Sequence, residues 1–123
     1  MTYIKSYKDL IVWQKSIELA RRIYVLTSKF PASELYGIVL QMRRAAVSTP
    51  SNIAEGYGRN SQKEYAYHIS VAYGSLLELE TQLILSSQLK LAPTSLFHPS
   101  EELIIEVGKM LNVMNAKNKS SNS

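Results

Sequence analysis

A chain of 123 residues has room for one compact domain, since domains usually hold roughly 100–200 residues, and a multidomain enzyme is excluded. Hydrophobic residues form 46% of the chain, which is enough for a core, and the absence of cysteine excludes disulfides, thiolate metal sites and cysteine nucleophiles. The net charge of +4 suggests an anionic partner but is too small to establish one.

Apolar residues spaced three and four positions apart predict a first amphipathic helix from Tyr7 to Lys29. Pro31 ends this helix because the residue before a proline is disfavoured in helical geometry. Ser33 is predicted to cap a second helix that begins at Leu35. The predicted buried stripe of the first helix is Leu10, Trp13, Ile17, Ala20 and Tyr24.

The second helix carries two apolar stripes, which is more than one small bundle can bury by itself. Arg43 lies among the residues of the second stripe, and the helix is therefore predicted to bury two sides. The main stripe is Leu35, Ile38, Val39, Met42, Ala45 and Ala46, and the second is Tyr36, Leu40 and Val47.

Pro50 predicts that the second helix either kinks or ends and restarts, reaching about Tyr57. Thr49 or Asn52 would cap the restarted segment, and Glu55 would complete a capping-box pair with Asn52. The predicted turn and cap residues are therefore Asn52, Glu55, Gly56 and Gly58.

A third helix is predicted from Gln62 to Leu89, because Ser61 followed by Glu64 is a helix-start pattern. Its stripe is Ile69, Ala72, Leu76, Leu79 and Leu83. A fourth helix, whose start the pattern leaves open, contains Leu103, Ile104, Val107, Met110, Leu111 and Met114. These helices predict an all-α, antiparallel up-down four-helix bundle in one domain, residues 1–115, followed by a disordered tail, residues 116–123.

Glu80 projects from the apolar face of the third helix, where an unpaired charge is costly. Arg43 is its predicted partner, in an ion pair that specifies register or assembly. A catalytic or ligand-binding carboxylate is the alternative interpretation of Glu80.

Catalytic and metal sites have little support in the sequence. Glu64 and His68 share a helix face, but no further ligands converge on them, so they are interpreted as a surface pair. The segment GYGRNS lacks the third glycine and the preceding strand of a phosphate-binding loop. We therefore predict no enzyme activity, no metal and no cofactor.

Positive charge is concentrated in the first half of the chain. Residues 1–63 hold ten Lys or Arg against four acids, a net +6, whereas residues 64–123 hold four against six, a net −2. Such cations, with Tyr57 or Tyr67 for stacking, could contact nucleic acid. In a single bundle they more often form a solvated face, but a symmetric ring repeats the patch on every subunit and favours binding. The predicted nucleic-acid-binding residues are Arg21, Arg22, Arg44, Arg59 and Lys63.

The strings QMRRAAVSTPSNIAEGYGR, DLIVWQKSIELA, GSLLELETQL and EVGKMLN resemble the bacterial four-helix-bundle family encoded within intervening sequences of 23S rRNA genes, also called S23-like. This resemblance spans about residues 7–115. It implies an up-down bundle and a distant similarity to the accessory protein of diversity-generating retroelements, a homopentamer that binds nucleic acid and a reverse transcriptase. It implies no catalytic residues.

Together, the charge pattern, the second stripe and the resemblance predict a non-enzymatic protein that forms a homo-oligomeric ring, by resemblance a pentamer, and binds RNA or DNA through a basic surface. The alternative is a protein–protein scaffold or accessory subunit that does not bind nucleic acid. No run of residues reaches signal or membrane-spanning length, so we expect a soluble, cytoplasmic protein with no membrane partner.

Overall fold

Four α-helices and three short 3-10 turns make up the secondary structure of the protein, whose computed structural model describes residues 4–121. Residues 4–121 contain no β-strand, so the prediction of an all-α protein with four helices is confirmed. The helices are α1 (Ile11–Thr27), α2 (Ile38–Tyr57), α3 (Gln62–Gln88) and α4 (His98–Ser121). The 3-10 turns are Tyr7–Asp9, Ala32–Glu34 and Thr94–Phe97.

Helix α1 is shorter at both ends than predicted. Ser6 and Asp9 form a capping box around the separate turn Tyr7–Asp9, and Leu10 is extended, so the helix starts at Ile11. The residues that α1 buries also differ from the predicted stripe, and they include the polar Ser16 and Thr27. Their hydroxyls donate hydrogen bonds to carbonyl oxygens of the same helix at 2.7 Å, so both side chains can be buried. The buried residues are Val12, Ser16, Leu19, Ile23, Leu26 and Thr27.

Helix α2 starts at Ile38, three residues after the predicted start, and runs without a break through Pro50. Pro50 is buried, and the Thr49 hydroxyl donates to the carbonyl oxygen of Ala45, so neither Pro50 nor Thr49 begins a new segment. Of the predicted main stripe, Val39, Met42, Ala45 and Ala46 are buried, Ile38 is half-buried, and Leu35 is exposed and precedes the helix. The residues of the second stripe, Tyr36, Leu40 and Val47, are exposed.

Helix α3 follows the prediction within one residue, and its predicted stripe is entirely buried. Helix α4 begins at His98 with Pro99 in its first turn, where a proline costs no hydrogen bond. The prediction of a disordered tail from residue 116 is wrong for residues 116–121, because α4 continues to Ser121 and Asn118 is buried against α3. Residues 122–123 of that tail lie outside the described part of the chain.

One hydrophobic core joins the four helices. Helix α1 packs on α2 and α4, and α3 packs on the same two helices, with the most extensive contact between α2 and α3. None of the helices within residues 4–121 is long and apolar enough to span a membrane.

Candidate nucleic-acid interface

The corner between α2 and α3 contains a surface groove of about 590 Å³. Helix α2 ends at Tyr57, and Ser61 begins α3 by accepting the backbone N–H of Glu64 at 3.1 Å. This short connection places the end of α2 beside the first two turns of α3. We call this groove the corner groove; it is lined by Arg59, Ser61, Lys63, Glu64, Tyr67 and His68.

Gly56 lets α3 pack directly on the backbone of α2. It is buried within α2, and a Cβ at this position would lie 3.0 Å from the Cβ of His68 and 3.4 Å from the carbonyl oxygen of Tyr65. The prediction that Gly56 forms a turn is therefore wrong. Gly58 occupies the C-cap of α2 with φ of −81°, a conformation that does not require glycine.

Asn52 holds His68 in one tautomer at the side of the corner groove. The Asn52 Nδ2 donates to the carbonyl oxygen of Ser48 at 2.9 Å, which turns its Oδ1 toward the His68 Nδ1 at 3.0 Å. An amide oxygen only accepts hydrogen bonds, so Nδ1 carries the hydrogen and Nε2 of the neutral ring remains an acceptor.

Asn52 and Glu55 are therefore not helix caps, which corrects the prediction. They lie in the interior of α2 because the helix continues through Pro50. Glu55 Oε2 instead lies 3.7 Å from His68 Nδ1 and 3.8 Å from Arg59 Nη2.

The corner groove combines cations with an exposed aromatic ring. Arg59 and Lys63 line it, and the Tyr67 side chain, which is 64% exposed, meets the His68 ring edge-on at 5.2 Å between centroids. Cations of this kind contact phosphate, and a free tyrosine face can stack on an unpaired base. Glu55 and Glu64 offset the two positive charges, so the local field of one chain is weak.

The structure brings only two of the five predicted nucleic-acid-binding residues together, Arg59 and Lys63. Arg21 and Arg22 lie on α1, where both form ion pairs with Glu18. Arg44 lines a separate crevice of about 360 Å³ that also contains Glu78. Of the five predicted residues, only Arg59 and Lys63 therefore share one groove.

Arg43 and Glu80 do not form the predicted ion pair. Arg43 faces α1, where its Nε donates to the Thr27 hydroxyl at 3.0 Å and its guanidinium lies 4.6 Å from the centre of the Tyr24 ring. Glu80 lines a groove between α3 and α4 instead. The two residues lie on different helix pairs, which helical periodicity alone could not distinguish.

The groove between α3 and α4 was missed by the sequence interpretation. Two adjoining depressions of about 390 and 250 Å³ share Glu80, Ile104 and Ile105. The side chains of Ile84 and Ile105 are each 54% exposed. Apolar residues at the edges of the predicted stripes were the sequence signal that could have indicated this groove. We call this surface the α3–α4 groove.

Within residues 4–121, no three His, Cys, Asp or Glu side chains come together in a way that could hold a metal ion. Helix α3 places Glu64 and His68 on the corner groove without a third ligand.

By class, this is a small all-α protein of four helices, with a groove at one helix corner that contains Arg59, Lys63 and the exposed ring of Tyr67. A family model described as 23S rRNA-intervening sequence protein matches residues 8–113, and the chain belongs to that family. The resemblance inferred from the sequence is thereby confirmed for this family. No curated protein matches the chain.

Proposed function

We propose that this protein is a non-enzymatic, oligomeric nucleic-acid-binding protein of the cytoplasm, and that its four helices form an up-down bundle. The observation that carries the binding proposal is the corner groove, where Arg59 and Lys63 flank the exposed ring of Tyr67. Membership of the 23S rRNA-intervening sequence protein family supports a setting in RNA biology.

Each side chain in the corner groove has a distinct role in this proposal. Arg59 and Lys63 contact phosphate, Tyr67 stacks on a base, and the Nε2 acceptor of His68 receives a hydrogen bond from a base or ribose. Glu55 and Glu64 weaken the electrostatic field of a single groove. An oligomer, by family resemblance a pentamer, repeats the groove on every copy, so several weak contacts act together and raise the affinity.

A filter-binding titration with single-stranded and double-stranded RNA and DNA, over a salt series, tests this proposal. Arg59→Ala and Lys63→Ala should each weaken binding and reduce the slope of log affinity against log salt by about one. Tyr67→Leu should weaken binding of single strands by about tenfold, since stacking on one base contributes roughly 1–3 kcal/mol.

Arg21→Ala is the matched control, because it removes the same charge from α1, where Arg21 pairs with Glu18 outside the corner groove. It should leave affinity nearly unchanged. Absence of binding at low salt, or equal weakening by Arg21→Ala and Arg59→Ala, would contradict a nucleic-acid site in the corner groove.

A protein–protein scaffold is the second candidate function, and the exposed apolar lining of the α3–α4 groove favours it. In that case the purified chain should be a monomer by light scattering and form a stoichiometric complex with another protein. A stable homo-oligomer that takes up no such protein would exclude this candidate.

A further inference from the structure

Arg43 carries a charge that is held in place but not neutralised within its own chain. The side chain is half-buried, its Nε donates a hydrogen bond to the Thr27 hydroxyl, and its guanidinium carbon lies over the Tyr24 ring. No carboxylate within residues 4–121 lies within 4.0 Å of its guanidinium. Leu40 and Val47, three residues before and four after it, are both exposed on the same helix face.

Glu80 is in the complementary situation on α3. It is half-buried in the α3–α4 groove, and no cation of the described chain lies within 4.0 Å of its carboxylate. Exposed apolar side chains of Leu77, Ile84 and Ile105 line the groove with it, and the charged residues Glu101 and Lys109 lie at its two ends without an ion pair to Glu80. A carboxylate in such surroundings is stabilised most by a cation that arrives with its own apolar surface.

These two surfaces match each other in both apolar character and charge. One consists of Tyr24, Leu40 and Val47 around an unpaired cation, and the other of Leu77, Ile84 and Ile105 around an unpaired anion. They lie on different helix pairs, so Arg43 and Glu80 of one chain do not meet.

We propose that the α1–α2 face of one copy docks into the α3–α4 groove of a second copy, with Arg43 of the first pairing with Glu80 of the second. This inference rests on the proposed self-association and specifies its contact. Because the two surfaces differ, the contact is head-to-tail. Every copy in a closed ring presents one α1–α2 face and one α3–α4 groove. The apolar side chains supply affinity, and the ion pair selects the register.

Charge reversal tests the contact. Arg43→Glu and Glu80→Arg should each raise the dissociation constant of the assembly by about a hundredfold or more, and the double variant should restore most of it, because close interfacial charge pairs couple strongly. Sedimentation equilibrium and light scattering measure the assembly, and far-UV circular dichroism establishes that each variant is folded.

Two further variants keep the test independent of folding damage. Glu80→Gln preserves the shape of the side chain and should still weaken assembly at least about tenfold, as expected for loss of one buried charge partner. Arg44→Glu reverses the neighbouring charge on α2, which lies in the crevice with Glu78, and should leave assembly unchanged.

The outcomes separate the two proposals. A wild-type chain that is monomeric at every concentration overturns both self-association and this contact. A wild-type oligomer that survives both single reversals, or whose single variants dissociate without rescue in the double variant, leaves self-association standing and overturns the Arg43–Glu80 contact.

Discussion

Individual residues control how closely α2 and α3 approach each other. At Gly56 the nearest neighbours of an added Cβ are the Cβ of His68 and the carbonyl oxygen of Tyr65, and neither can swing away as the end of a flexible side chain can. The same contact positions His68 beside the corner groove. Gly56 therefore affects both the packing of two helices and the position of a side chain that lines the corner groove.

Gly56→Ala should lower the free energy of unfolding by about 1–3 kcal/mol, the usual cost of overpacking a tight contact. Gly74→Ala in α3 is the control, because its Cβ would meet nothing within 4 Å and alanine favours the helix by roughly 0.5–1 kcal/mol. Urea unfolding at one protein concentration measures both. Equal effects of the two substitutions would show that α2 and α3 are not in close contact at Gly56.

Asn52→Ala should free His68 to adopt the other tautomer and should cost about 1–3 kcal/mol, because the His68 side chain is only 12% exposed and loses the acceptor of its Nδ1 hydrogen. Nitrogen chemical shifts of the ring report the tautomer directly. Ser51→Ala, at an exposed position next to it, should change neither quantity. A wild-type ring with its hydrogen on Nε2 would contradict the assigned hydrogen bond.

Burial raises the pKa of the Tyr65 hydroxyl above its ordinary value. Above about pH 10 the unfolded chain begins to lose this proton while the native chain still holds it. The contribution of Tyr65 to the free energy of unfolding is therefore complete below about pH 10 and falls as pH rises further. Tyr65→Phe should reduce this loss of stability at alkaline pH, measured as the free energy of unfolding across a pH series. Tyr36→Phe, at a side chain that is 87% exposed, should not, and parallel curves for both variants would refute the effect.

Single elements differ in how far local patterns determine them. Helix α2 contains Pro50 without a break, because Pro50 is buried on the α1 side and packing there compensates for the missing backbone hydrogen bond. Helix α4 extends beyond its apolar residues because Gln62 of α3 donates to Asn118 Oδ1 at 2.9 Å. In both helices a tertiary contact overrides the local tendency of the chain.

A chain that ends at Asn115 should lose roughly 0.5–1.5 kcal/mol of stability, since it lacks the Gln62–Asn118 hydrogen bond. A chain that ends at Lys119 keeps this bond and should match the stability of the 123-residue chain within a few tenths of a kcal/mol. Thermal unfolding by circular dichroism compares the three. Identical stability for both truncations would restore the prediction of a disordered tail.

At the scale of the whole molecule, one core draws residues from all four helices, including Leu19, Met42, Leu79 and Leu111. Such a core favours cooperative unfolding, which is also what the prediction of a single domain requires. The chain has one tryptophan, Trp13 on α1, which packs against this core. Its fluorescence therefore reports on α1, and far-UV circular dichroism reports on all four helices.

The two signals should give superimposable urea unfolding curves at protein concentrations low enough to prevent assembly. An early fluorescence transition, with most helical signal retained, would show that α1 separates from the rest and that the chain is not one cooperative unit. Repeating the measurement with Arg43→Glu removes the proposed assembly contact and controls for dissociation.

Elements whose signals are local could be predicted from the amino-acid sequence alone. The stripe of α3 and the cap at Ser61 depend on residues within a few positions of one another, so α3 was predicted almost to the residue. The family was also identified from continuous stretches of sequence, and the family model matches residues 8–113.

Which face of each helix meets which neighbour depends on the packing of the four helices. Arg43 and Glu80 were both correctly expected near apolar surface, but periodicity cannot say that one lies on the α1 side of α2 and the other between α3 and α4. Likewise, Arg59 and Lys63 meet at a helix corner, whereas Arg21 and Arg44 lie elsewhere. Charge and hydrophobicity are properties of single residues, whereas a site depends on distances that are set by the packing between helices.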